Sequence, residues 1–112
     1  MKEKKVVREE RNKEKLTSGD WVMAEFYSIH SLKSSRMHAV IDEFKKLMGG
    51  KVEVVQVNVD EETELARAFG IQSIPMLLYI PMNETPQAIM GAAPKSKLKQ
   101  AIDTILLSKK EE

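Results

Sequence analysis

The sequence predicts an α/β fold: a mixed central sheet, parallel strands first and an antiparallel C-terminal hairpin after them, flanked by helices. Three observations predict it. Short β-branched stretches alternate with stretches whose apolar residues recur at threes and fours, in the order β-α-β-α-β-β-α. The run Val52, Val54, Val55, Val57 and Val59 is apolar on both faces, as suits a strand covered on both sides of a sheet. The last two strands are joined by a link too short for a parallel crossover, so that pair must be a hairpin.

The elements follow in order. Residues 1–15 hold seven basic and four acidic side chains, with only Val6 and Val7 apolar beyond Met1. A charged arm or helix is expected over 1–17. Glu9 and Lys13, four apart in the favourable order, support helix as far as Leu16. A frayed or solvated segment and a docking arm for a partner both suit this pattern. The turn cluster Ser18-Gly19-Asp20 leads into a strand over Val22–Ser28. Met37, Val40, Ile41, Phe44, Leu47 and Met48 form one face of a helix that stops at Gly49-Gly50. After the valine strand, Asp60, Glu61, Glu62 and Glu64 place negative charge where a helix dipole favours it, and that helix ends near Gly70. Pro75 introduces the strand Met76–Ile80; a short link with Pro81, Asn83 and Pro86 leads to the strand Gln87–Gly91. Leu98, Ala101, Ile102, Ile105 and Leu106 mark an amphipathic helix from Pro94. The domain is expected over 18–108, with a charged tail over 109–112.

Length and composition bound the function. At 112 residues the chain is one domain by the length prior of about 150 residues. Its net charge of +1 gives no electrostatic case for nucleic acid or an anionic membrane. No apolar run approaches the roughly 18 residues of a membrane span. Met-Lys-Glu-Lys-Lys lacks the apolar stretch of a secretory signal, so a cytoplasmic location is the default expectation. A monomer without cofactor is expected. Cysteine is absent, which excludes disulfides, thiolate metal sites and thiol chemistry by this chain. The seven methionines, Met37, Met48 and Met76 among them, read as adaptable core packing, with Met90 nearer a groove.

Several segments resemble the thioredoxin family. Ala24-Glu25-Phe26-Tyr27 is similar to the strand leading into that family's redox site, and Asp42-Glu43-Phe44 to its following helix. Val57-Asn58-Val59-Asp60 resembles the end of the central strand. Phe69-Gly70-Ile71-Gln72-Ser73-Ile74-Pro75-Met76-Leu77 is the most specific match, because the family places a cis-proline there. Gly91-Ala92 before a Lys-rich helix completes a register running from about Met23 to Leu107. The resemblance implies a thioredoxin-like fold. The chemistry departs from it: where the family has Trp-Cys-Gly-Pro-Cys, this chain reads His30-Ser31-Leu32-Lys33-Ser34. Thiol–disulfide exchange needs an attacking thiolate and a second sulfur, and serine supplies neither. No disulfide oxidoreductase activity is expected.

Candidate site residues follow from this comparison. Ser31 and Ser34 occupy the positions of the redox cysteines. Adjacent His30 and Ser31 rarely reach hydrolase geometry, and Ser31 is expected to cap the helix. Glu25 stands where the resemblance implies a buried acid; once buried, it needs a raised pKa or a partner, with Lys33 or a backbone donor as candidates. His30 and His38, eight apart, do not suggest a metal site and read as surface or groove-edge imidazoles. The resemblance implies that Ile74, before Pro75, offers its N–H and C=O to an extended peptide, a mode that needs no sulfur; alternatively Pro75 only shapes its loop.

Two functions fit. One is a redox-inactive module holding a peptide or protein segment in a groove lined by His30, Ile74, Pro75, Gly91 and Ala92. The other is a thiol–disulfide oxidoreductase whose two cysteines were replaced by serine. Leu32-Lys33, His30 and Ala39 also depart from the family pattern, which favours the first.

Overall fold

The computed structural model describes residues 2–18, 21–48, 53–81 and 86–90. The predicted helix from Pro94, the tail, the Gly49-Gly50 stop, the Asn83 turn, Gly91 and Ala92 lie outside them. The elements are α1 (Lys2–Leu16), β1 (Val22–Tyr27), α2 (Leu32–Met48), β2 (Glu53–Asn58), α3 (Thr63–Ala68), β3 (Met76–Ile80) and β4 (Gln87–Met90).

The sheet is mixed, in the order β2-β1-β3-β4. β1 runs parallel to β2 with Glu25 opposite Gln56, and antiparallel to β3 with Phe26 opposite Met76. β3 and β4 form the hairpin, with an irregularity between Leu77 and Leu78. Strand alternation sends successive side chains to opposite faces. Val22, Ala24 and Phe26 join Val55, Val57, Leu78 and Ile80 on one face, with Leu16 from α1 and Leu65 from α3. Trp21 and Met23 join Val54 and Leu77 on the other, against Met37 and Ile41 of α2. Glu25 and Tyr27 continue that second set along β1. A carboxylate is therefore carried into the face that packs on α2.

The charged N-terminal segment is a docked helix. Leu16 is buried, and Asn12 of α1 donates to Glu62 Oε1 at 2.6 Å. Glu9 Oε2 accepts the Leu65 backbone N–H at 3.0 Å, satisfying one of the donors left open in the first turn of α3. The carboxylate favourable at that helix start thus comes from α1 as well as from the local sequence. Helix α3 begins at Thr63, later than the acidic run implied. Asn58 Oδ1 accepts the Asp60 N–H, and the Asn58 carbonyl accepts the N–H groups of Glu61 and Glu62, making a turn first. Glu62 points inward instead, its Oε2 accepting the Asn58 N–H at 2.9 Å. At the far end, Gly70 adopts φ +65° and the Ile71 N–H reaches the Ala66 carbonyl at 3.0 Å, the left-handed stop expected there.

Candidate binding site at the end of the sheet

The C-terminal end of β1 and the N-terminal end of β3 lie side by side, because Phe26 pairs with Met76. Residues 28–31 leave this end for α2, and Ile74-Pro75 arrives at it. Proline has no N–H to give the ladder, so β3 begins at Met76; the Ile74–Pro75 peptide is cis. Pro75 is buried and Ile74 half-buried, while Gln72 and Ser73 are exposed. Among the described residues, no hydrogen bond reaches the Ile74 N–H or carbonyl.

The two serines at the cysteine positions have separate structural duties. Ser31 caps α2: its Oγ accepts the Ser34 N–H at 3.3 Å, and its carbonyl accepts the Ser35 N–H at 2.9 Å. Ser34 is wholly buried, and its Oγ accepts the Ser28 N–H at 2.8 Å. Ser28 in turn donates its hydroxyl to Asp60 Oδ2 and accepts the His30 N–H. The His30 ring is exposed, with Nε2 4.0 Å from Asp60 Oδ2. It does not approach Ser31 as a base; no Ser31–His30 side-chain bond forms among the described residues.

Glu25 is wholly buried, but its partners are neither Lys33 nor a backbone donor. Oε1 is 3.0 Å from His38 Nδ1 and accepts the Gln56 Nε2–H at 3.1 Å. Lys33 is exposed, whereas His38 projects from the sheet-facing side of α2 beside Met37 and Ile41. Burial pushes the Glu25 carboxyl above the usual range, opposed by His38 and by the Gln56 hydrogen bond. Oε2 has no hydrogen-bond partner among the described residues. His38 is therefore a core-side imidazole rather than a groove-edge one, stacked on Tyr27 with ring centroids 3.9 Å apart. Burial, then Glu25, pushes the Tyr27 hydroxyl upward as well. The two histidines lie apart in role, His30 in the loop and His38 under the helix.

Sequence reasoning missed the Glu25–His38–Gln56 cluster, although periodicity contained its parts. His38 is next to Met37 and three before Ile41 on the α2 stripe, and Glu25 and Gln56 alternate onto the same sheet face. It also missed the exposed pair Ile29 and Leu32, at 67% and 68% accessibility, which flank His30 and Ser31. A separate cavity of about 300 Å³ opens between α1 and α3 beside Glu9, Lys13, Leu65 and Phe69, and none of the predicted site residues lines it.

With this geometry in place, the thioredoxin family model matches residues 3–104. The chloroplastic thioredoxin M5 of Oryza sativa subsp. japonica is 32% identical over 105 residues, covering 92% of this chain and 61% of that protein. The thioredoxin of Bacillus subtilis is 31% identical over 87 residues, covering 78% of this chain and 84% of that one. Among solved structures, the germline-specific thioredoxin Deadhead of Drosophila melanogaster superposes with a TM-score of 0.67 at 17% identity, covering 85% of this chain and 89% of the other. The match spans 47% of the chloroplastic M-type thioredoxin of Spinacia oleracea, so this chain covers about half the length of that relative.

Proposed function

This chain belongs to the thioredoxin family, and within it we propose a binding role without redox chemistry: a module that takes an extended peptide or protein segment beside Ile74. No cysteine is present to attack or resolve a disulfide. The observation that carries the reading is the Ile74 main chain, free of hydrogen bonds among the described residues at a sheet end bordered by exposed Ile29 and Leu32. A main-chain donor and acceptor at such an edge can pair with an added extended segment, while the apolar pair receives its side chains. Ser31 and Ser34 support the loop through the cap and the Ser28 bond, and neither is arranged as a nucleophile.

The test selects peptides from a random library on the immobilised full chain, then titrates a selected peptide into the isotope-labelled protein. Shifts of the amide signals of Ser73, Ile74 and Met76, together with residues 28–32, are expected. Failure to enrich any peptide, or shifts confined to the α1–α3 cavity, would overturn the reading.

A further inference from the structure

We propose that the segment received beside Ile74 is apolar and acidic, with an aliphatic or aromatic side chain on Ile29 and Leu32 and carboxylates facing Lys33 and Arg36. This names the partner class of the site proposed above and rests on that reading. Apart from Val7 on α1, Ile29 and Leu32 are the exposed large hydrophobics among the described residues. Cations border them: Lys33 and Arg36 follow Leu32, and the His30 ring lies between the two apolar residues, all three side chains exposed. Spacings of three and four place Leu32, Ser35 and Arg36 along one side of α2, and Lys33 is three from Arg36. Apolar contact and positive charge therefore share one surface.

Among the described residues, neither Lys33 nor Arg36 makes an ion pair. The first turn of α2 holds no acidic residue. A positive side chain in the first turn of a helix stands against the backbone dipole, so Lys33 does not serve the helix itself. Asp60, at this end of the sheet, is engaged by the Ser28 hydroxyl and faces His30, and the neighbouring Glu61 pairs with Arg8. A partner's carboxylates thus meet unpaired cations, whereas a basic segment meets repulsion without compensation. A neutral apolar segment covers Ile29 and Leu32 but leaves the cations unanswered.

The experiment reads the composition of the library-selected peptides and then changes the protein. Asp or Glu next to Leu, Ile or Phe is expected to be enriched. Binding of such a peptide should weaken as salt rises, and about fivefold in the Lys33→Gln/Arg36→Gln double variant, the effect of losing two exposed ion pairs. Lys33→Glu/Arg36→Glu should reverse the preference toward basic peptides. Both positions are exposed, and a thermal midpoint recorded for each variant checks that the fold is kept. Selected peptides without acidic excess, or unchanged affinity in the Gln variant, overturn the partner class while peptide binding stands. Self-association of the free protein through Ile29 and Leu32, seen as concentration-dependent shifts there, overturns it in favour of a second copy. Failure to enrich any peptide removes the underlying reading instead.

Discussion

The wholly buried carboxylate of Glu25 on β1 lies 3.0 Å from Nδ1 of His38 on α2, and Gln56 of β2 bonds the same oxygen. The sheet and the helix are joined there by polar contact inside an otherwise apolar face. Burial raises the Glu25 pKa, and it raises that of Glu62 on the other side of the sheet. Both shifts bear on stability.

With the native pKa above the ordinary value of 4.5, the folded state keeps a proton that the unfolded state has lost. Stability therefore falls as pH rises from about 4.5 through the raised native values, and levels off beyond them. Glu25→Gln removes one of these groups. Its urea midpoint should match the parent at acid pH, exceed it near neutrality, and vary less with pH between. A variant less stable than the parent near neutrality would contradict this account.

His38→Ala removes the ring stacked on Tyr27 and a hydrogen-bonding partner of the buried carboxylate. A loss of about 2 kcal/mol is expected from these two contacts. Combined with Glu25→Gln, the loss should be smaller, because the residue left behind can no longer ionise. Equal losses in both backgrounds, measured by denaturant unfolding, would separate His38 from Glu25 energetically.

Asn12→Ala tests whether α1 is part of the fold. Its amide donates to Glu62, which is 1% exposed and otherwise bonded to the Asn58 N–H. Leaving Glu62 with one donor should destabilise the whole domain by about 1.5–3 kcal/mol in a single cooperative transition. Loss of α1 helicity in a separate, earlier transition would show instead that the helix docks independently.

Ser31→Ala deletes the α2 cap and should cost about 0.5–1 kcal/mol, while Ser31→Asp should retain the cap and meet the dipole favourably. Thermal midpoints of the two variants decide it: Asp below Ala would place the Ser31 hydroxyl in some other role.

In an insulin-reduction assay the parent chain should give no rate above buffer, since no thiol is present to react. A measurable parent rate would reverse the functional assignment. The Ser31→Cys/Ser34→Cys variant supplies the control: turnover after restoration shows that the scaffold still accepts a disulfide substrate at this sheet end.

Much of the fold was legible because burial imposes a period on sequence. β1 reads as a strand through its short, largely apolar run, α2 through its threes and fours, and the hairpin through the shortness of its link. The Ser31 cap was legible for a similar reason, a hydroxyl standing immediately before a helix. The partner of Glu25 was not. Lys33 was a candidate through charge, but the β1–β2 register sets Gln56 opposite Glu25, and the seating of α2 brings in His38.

The sequence by itself determined the order of the elements from β1 to β4, the two faces of the sheet and the impossibility of thiol chemistry, since these follow from local periodicity and from residue type. Tertiary structure alone decided which polar groups meet. Glu9 reaches the N–H of Leu65, Asn12 reaches Glu62, and Glu25 reaches His38, each across a separation that no local pattern encodes. A buried polar group needs a partner wherever the chain can bring one, and only strand register and helix packing settle which residue that is.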